Sequence, residues 1–553
     1  MKKYLRNLIL VYIVFVLVKV ILSYLIPASR ALADDYNYLK MGESFFYHFS
    51  LKVHGNFNGQ FYPLYPIIIS IAQIFKDNNL VYLGIKVINS ILSSLIIFPA
   101  YYLSKEFLSE RRSLLTTMII ALLPANFALT SYIMAENLFY SLFLIAIYFI
   151  YKSFKYKNSK NYFFAGLFSL LTLSTKIHGL ILIFLIIILV FSETLKKKFD
   201  IKYLLLLGLI FISLGLLALY SKQIISLLYQ NEILALIKSK GILIAFIIKF
   251  VSYLGFILLS SGLILMLPLL ISFKINNIKL KLFRKIFVIT ILISLFLSAN
   301  HGIYSRRYFY DLGNITLVGG RIIGRYVDFV LPLIMILSFI GLYHYFNNKI
   351  KVNVLRKFIL ILTFVMLLTT SIILSPLVPF NNVSLTFFGA VKYLIGILFY
   401  SKASFDFGAT LISFLILSLI FILLPLINYY LLKRFNYRKF ISLLLAFFII
   451  NSIISVGVVY YAATTSWYYN SEQRQLALYL NKIDPERSLV LVDEKDGGDL
   501  GGSTYDLKAL YGGTNQSRYT ILGYWLNDEL IIGNVNKVKA DYIISTYELN
   551  LEK

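Results

Sequence analysis

Runs of about twenty apolar residues recur along nearly the whole chain, each long enough to cross the roughly 30 Å hydrocarbon layer of a bilayer as a helix. The first lies at about Asn7 to Ile26. Others are expected near Val81 to Leu103, Ser113 to Tyr132, Leu138 to Tyr151, Tyr162 to Thr175, Ile177 to Phe191, Tyr203 to Tyr220, Ile242 to Ile271, Ile286 to Ala299, Phe329 to Phe346, Phe358 to Leu374, Leu411 to Leu432 and Phe440 to Ala463. Backbone in lipid must satisfy its own hydrogen bonds, so such runs fold as helices. The chain therefore reads as a polytopic α-helical membrane protein with about thirteen transmembrane helices. Its 553 residues are 59% hydrophobic and only 14% charged, which excludes a soluble globular domain. The first run is longer than the apolar core of a signal peptide and is read as a retained anchor.

The basic residues test this count. Lys2, Lys3 and Arg6, Arg111 and Arg112, Lys152 to Lys157, Lys196 to Lys198, Lys279 to Lys285, Lys349 to Lys351 and Lys433 to Lys439 all fall in alternate gaps. By the positive-inside rule these gaps and the N-terminus are cytoplasmic, the setting being the cell membrane. The formal charge of +27 is thereby explained by inter-span loops and not by nucleic acid. The other gaps are then extracytoplasmic. They hold Asp34, Asp35, Glu43, Glu136, Asp311 and Asp328, the long loops 27–66, 221–241, 300–328 and 375–409, and Asn-x-Ser/Thr triplets at Asn314, Asn382 and Asn515. After about residue 463 the composition turns polar. Residues 1–463 form the expected membrane domain and 464–553 a small extracytoplasmic α/β domain, with a helix at Glu472 to Ile483 and strands at Ser488 to Asp493 and Asp541 to Ser545. The glycines of Lys495 to Gly502 lack the spacing of a phosphate loop.

The chain has no Cys, so disulfides, thiolate metal sites and Cys nucleophiles are excluded. Chemistry must come from other groups. Asp34 and Asp35 are adjacent, follow the first span, and open an aromatic segment suited to a membrane surface. Two such carboxylates repel unless a cation lies between them. They could share a divalent cation, but nothing requires one, and His48 and His54 are read as ordinary loop histidines, so no metal site is assigned. Glu136 stands between two apolar runs, where a carboxylate needs a partner or a task. Lys176 and His178 occupy the next outer turn, where a cation can hold a lipid phosphate or snorkel to the interface. Arg306, Arg307, Arg321 and Arg325 crowd one outer loop against the positive-inside trend, and guanidinium forks suit phosphate oxygens. Arg321 and Arg325 would share a face if that piece were helical.

The order of these residues resembles the GT-C superfamily. The resemblance is carried by the acidic pair Asp34-Asp35 in the first outer loop, Tyr62-Pro63-Leu64-Tyr65-Pro66 closing it, Ala135-Glu136-Asn137 opening a later span, Lys176 after another, and Gly324-Arg325-Tyr326 ahead of Leu331-Pro332. It is nearest to the branch of dolichyl-phosphate-mannose protein mannosyltransferases and lipid A aminoarabinose transferases. It implies an inverting glycosyltransferase that moves a sugar from a polyprenyl-phosphate donor to a glycan, protein or lipid acceptor on the outer face of the membrane. Asp34, Asp35 and Glu136 take the acidic catalytic positions, Asp34 as general base. Lys176, His178, Arg321, Arg325 and Tyr326 are candidate contacts to the donor phosphate or sugar. Asn37 departs from the pattern, where a basic residue is common, and the Trp-Trp-Asp motif of oligosaccharyltransferases is missing. A lipid or sugar transporter or flippase is the alternative, but the acids gather at one face and no half-chain repeat is visible. A scaffold presenting the tail to a partner is a third reading. The expected orientation is checked by introducing single cysteines into this Cys-free chain. One at Lys52 should react with an impermeant maleimide in intact cells, and one at Lys196 only after the cytoplasm is opened; the reverse pattern would overturn it.

Overall fold

The computed structural model describes residues 2–27, 33–53, 56–57, 62–196, 201–203, 206–209, 211, 215, 240–262, 265–304, 307–312, 315–320, 322–348, 382–387, 389–390, 419, 423, 426–427, 429–465, 472–484, 488–493, 525–527, 529–533 and 539–544. The longer helices are α1 (Lys2–Tyr24), α2 (Ala33–His48), α3 (Leu64–Ile69), α4 (Asn78–Ser94), α5 (Ile97–Lys105), α6 (Glu110–Ala121), α7 (Pro124–Ala128), α8 (Glu136–Tyr156), α9 (Ser159–Leu173) and α10 (Leu180–Thr194). They continue as α11 (Lys240–Ser260), α12 (Met266–Ser272), α13 (Ile278–Tyr304), α14 (Leu331–Asn348), α15 (Tyr437–Thr465) and α16 (Glu472–Ile483). Strands pair as β1 (Lys52–Val53) with β2 (Asn56–Phe57), and β3 (Arg307–Leu312) with β4 (Ile315–Gly320). The tail holds β5 (Leu489–Asp493), β6 (Glu529–Gly533) and β7 (Tyr542–Ile544).

Among the described residues, seven helices are long and apolar enough to span a membrane: Tyr4–Tyr24, Asn78–Lys105, Glu136–Tyr156, Ile177–Thr194, Ile278–Asn300, Asp328–Asn347 and Tyr437–Tyr461. The chain is an integral membrane protein. The expected run Ser113 to Tyr132 is bent by 61° between Glu110–Ala121 and Pro124–Ser131, and counts as an eighth span if the pair is one. Pro124 lacks the N–H that would continue α6, which places the break. The expected run Ile242 to Ile271 is divided into α11 and α12 at Gly262, whose φ of +78° suits glycine alone and whose added Cβ would meet the Phe447 ring at 2.7 Å. Expected spans at 203–220, 358–374 and 411–432 lie wholly or largely outside the described residues.

The chain divides into two compact units. The smaller comprises Leu17–Ile91, Thr130–Ala135 and Tyr460–Lys553. Its interior is organised by polar side chains on α4. Lys86 donates to the carbonyls of Ser23 at 3.0 Å and Ile26 at 2.9 Å, where α1 has run out of helical donors. A cation there also opposes the negative end of the α1 dipole. One turn on, the Asn89 amide donates to the carbonyls of Tyr132 at 2.8 Å and Thr130 at 3.3 Å and accepts from the Tyr65 hydroxyl at 2.8 Å. The Tyr82 hydroxyl donates to the Ser131 carbonyl at 2.5 Å, and Ser23 and Thr130 hydroxyls meet at 3.0 Å. The segment that leads to α8 is thus held by side chains as well as by its own backbone.

Within the same unit, the N-terminal half of α2 is wrapped on all sides. Every residue from Asp35 to Glu43 is buried, Lys40 pairs with Glu43 at 2.7 Å, and Tyr38 packs edge-on against Tyr65. In the tail, β5 is the centre of a parallel sheet in the order β6-β5-β7, with Leu489 opposite Glu529 and Val490 opposite Tyr542. Helix α16 buries Ala477 and Leu480. Its Asn481 donates to the Trp525 carbonyl and accepts from the Asn527 N–H, both at 2.8 Å, while the Asn527 side chain accepts from the Asn78 N–H at the start of α4 at 2.9 Å.

The larger unit comprises Met1–Val16, Leu92–Leu129 and Glu136–Val459. It is a helical body in which α8 packs on α9 and α12 on α14, with rings such as Phe149 and Phe168 stacked at 5.5 Å. Polar residues on α15 serve irregular backbone: Ser452 donates to the Leu122 carbonyl at 2.5 Å, beside the α6 break, and Ser455 donates to the Val383 carbonyl at 3.0 Å.

Hydrogen bonds from a charged donor contribute about 1.5–3 kcal/mol each, so Lys86→Met should destabilise the smaller unit by roughly 2–5 kcal/mol. A lowered thermal midpoint of the solubilised protein, largely restored in Lys86→Arg, is the expected result. A Met variant that melts with the wild type would refute the clamp.

Candidate functional site

In the larger unit, charged residues from three separate chain segments meet at the N-terminus of α8. Glu136 is the first residue of that helix, where the dipole favours a carboxylate, and it is 2% exposed. Lys176 immediately precedes a short 3-10 turn, Ile177–Gly179, and its ammonium bonds Glu136 Oε1. Arg325 lies in another such turn, Gly324–Tyr326, with its guanidinium 3.4 Å from the same oxygen. One carboxylate therefore gathers two cations that would otherwise repel each other in a low-dielectric interior.

The cluster has aromatic walls. The Tyr326 ring lies 5.1 Å from Lys176 Nζ, 5.7 Å from the Arg325 guanidinium carbon and 4.6 Å from the His178 ring. Phe329 meets Phe139 at 5.3 Å and Phe143 at 4.6 Å behind it. The Tyr140 hydroxyl donates to the Arg325 carbonyl at 3.2 Å, and the Ser298 hydroxyl donates to the Tyr326 carbonyl at 3.2 Å. A second buried acid, Asp328, feels both Glu136 and Lys176, and the Ser384 hydroxyl faces it without reaching ordinary hydrogen-bond geometry. The cluster thus gathers two acidic and two basic side chains in a buried setting.

Packing sets where Arg325 sits. A Cβ added to Gly324 would stand 1.9 Å from the tip of the Phe256 ring, so only glycine lets this turn lie against α11. The residues leading into the turn are not helical, since Ile315–Gly320 pairs antiparallel with Arg307–Leu312, Arg307 opposite Gly320. The condition under which Arg321 and Arg325 would share a helical face is not met, and Arg321 itself lies outside the described residues. His54 and Arg306 lie outside them as well, and His48 is exposed.

Asp34 and Asp35 belong to the smaller unit, in the first turn of α2. Asp34 is half-buried and Asp35 fully buried. Tyr36 beside them is held well above the ordinary phenol range, first by burial and then by the Glu43 charge, so it stays neutral at physiological pH.

Residues 63–217 match the family model described as dolichyl-phosphate-mannose-protein mannosyltransferase, a segment that contains Glu136, Lys176 and His178. Among solved structures, ArnT from Cupriavidus metallidurans bound to undecaprenyl phosphate aligns with 95% of this chain and 85% of its own, at 11% identity and a TM-score of 0.52. The chain shares its fold with this ArnT structure. The apo form of the same ArnT covers 94% of this chain and 85% of its own at 11% identity and a TM-score of 0.49. The oligosaccharyltransferase of Archaeoglobus fulgidus covers 95% and 65% at 11% identity and 0.44. No curated protein matches the sequence at a significant level.

In this chain, five of the eight expected site residues, Glu136, Lys176, His178, Arg325 and Tyr326, thus meet in one cluster. Asp328 and Asn382 belong beside them and were not singled out as site residues by sequence reasoning. Asp328 carried a signal, an acid directly ahead of an apolar run, as Glu136 does. Asn382 was read only as part of an Asn-x-Ser triplet. Overpacking a tight contact costs about 1–3 kcal/mol. Gly324→Ala should therefore lower the thermal midpoint, and Phe256→Leu in the same chain should recover part of the loss. A Gly324→Ala protein as stable as wild type would show that the turn is not held against Phe256.

Proposed function

We propose that this chain is an inverting glycosyltransferase that moves a sugar from a polyprenyl-phosphate donor to an acceptor hydroxyl on a glycan, protein or lipid at the outer face of the membrane. The observation that carries this reading is the pair of buried cations, Lys176 and Arg325, assembled on Glu136 within a fold shared with ArnT. A phosphate that must leave from within a bilayer needs positive charge on a rigid support, and preorganised cations are worth several kcal/mol there. In this reading Lys176 and Arg325 hold the donor phosphate, and Tyr326 and His178 offer ring faces to the donor. Glu136 acts through the two cations it orients, because its charge is already engaged by them. Arg321 keeps its place as a candidate phosphate contact.

As the acceptor oxygen bonds to the anomeric carbon, the bond from that carbon to the phosphate oxygen breaks, and the hydroxyl proton passes to a carboxylate. Asp34 is the base in this scheme and Asp35 its neighbour of fixed position. The burial difference supports that choice, since the half-exposed Asp34 can be reached by an acceptor and Asp35 is enclosed. A carboxylate suffices when the proton leaves late, after the glycosidic bond has stretched. The expected orientation, with a cytoplasmic N-terminus and residues 464–553 as an outer α/β domain, places such a base on the side where acceptors are displayed.

The test is transfer of labelled sugar from a panel of polyprenyl-phosphate sugars into a membrane extract. Asp34→Asn should slow transfer by about 10²–10⁴-fold while undecaprenyl phosphate still binds. If wild type and variant both bind the lipid and neither transfers sugar, the reading fails and lipid transport takes its place.

A further inference from the structure

The triplet Asn382-Val383-Ser384 has the form of a glycan acceptor, yet all three residues are 1% exposed or less. The Asn382 amide is fully occupied in another way. Its Nδ2 donates to the Ile322 carbonyl at 3.0 Å and its Oδ1 accepts from the Gly324 N–H at 3.0 Å. The amide thereby spans the peptide units on either side of Ile323, whose own N–H donates to the Tyr253 hydroxyl at 3.3 Å. Three consecutive residues ahead of Arg325 are consequently tied by side chains from elsewhere in the unit. They need this because the chain has left β4, and the 3-10 turn that follows takes up the carbonyls of Ile323 and Gly324 but not the Ile322 carbonyl or the Ile323 and Gly324 N–H groups.

The bracket is itself anchored. Val383–Leu385 forms a 3-10 turn, the Ser455 hydroxyl on α15 donates to the Val383 carbonyl, and the Thr386 and Ser455 hydroxyls are bonded to each other. Two residues along, Ser384 faces Asp328. We infer that Asn382 is a positioning residue for Arg325: it fixes the turn from which the guanidinium reaches the Glu136 cluster, and is not a site of modification. This inference rests on the proposed role of Arg325 in holding the donor phosphate.

The experiment combines binding with a readout that ignores function. In nanodiscs, hydrogen exchange of residues 322–328 should quicken in Asn382→Ala, because the Gly324 N–H loses its acceptor. Binding of undecaprenyl phosphate should weaken between about tenfold and a hundredfold, as a cation displaced by the order of 1 Å would produce. Arg325→Ala should weaken it at least as much, and the double variant should be no worse than Arg325→Ala alone. Asn382→Leu, which fills a similar space but offers neither acceptor nor donor, should behave like Asn382→Ala and serves if that protein folds poorly. Unchanged exchange would overturn the bracket. Quickened exchange with wild-type binding, or losses that multiply in the double variant, would overturn its action through Arg325. Wild-type binding by Arg325→Ala would instead strike the phosphate reading itself, and the inference with it.

Discussion

Backbone that leaves a helix inside a hydrocarbon layer finds no water, and every amide it frees must be met by the protein. This constraint explains the most unusual residues of the chain. Lys86 and Asn89 are polar groups on a membrane-length helix, and each is spent on carbonyls that no helix serves. Ser452, Ser455 and Asn382 do the same in the other unit. What reads in the sequence as scattered polarity in apolar runs is therefore the means by which broken helices and irregular turns persist in lipid. The turns that bear the charged cluster are such interruptions: Lys176 immediately precedes one 3-10 turn and Arg325 lies in another, where a side chain can be aimed along directions a helix does not offer.

The Glu136 cluster adds an electrostatic condition to the geometric one. Two cations buried 10–13% exposed would not stay together without a shared counter-ion. Removing one partner of such a group typically costs about 3–5 kcal/mol, because the remaining charge is stranded. The helix N-terminus is a favourable place for that counter-ion, which accounts for Glu136 standing first in α8. Tyr326 touches all three basic groups with one ring and so ties His178 to the cations.

Much of this was legible in the residues. Apolar length located the helices that the described residues show, and the oddity of an acid at Glu136 and of arginine in an outer loop pointed to residues that do meet. The stretch opened by Asp34 and Asp35 was read as an aromatic segment suited to a membrane surface, and that it forms a helix was not foreseen. Other features were hidden for physical reasons. The division at Gly262 depends on a Phe447 ring far along the chain, and hydropathy is blind to such a contact. The hairpin Arg307–Gly320 did carry a signal that sequence reasoning passed over: two six-residue runs with aromatic and β-branched residues flank the pair Gly313-Asn314. The role of Asn382 is set by backbone sixty residues away, while its local context spells a different and misleading motif. The asymmetry between Asp34 and Asp35 is likewise tertiary, since adjacent helical residues point in different directions and only packing decides which is enclosed.

The partners of Lys86 and Asn89 differ in one respect that matters while the chain is being made. Ser23 and Ile26 precede α4, so the lysine can be satisfied as soon as its own helix enters the bilayer. Thr130 and Tyr132 follow it by some forty residues, beyond the bent α6 and α7 pair. Those two carbonyls become available to Asn89 only after α5, α6 and α7 have been made. The segment that hands the chain on to Glu136 is thus held by a residue made some forty residues before it.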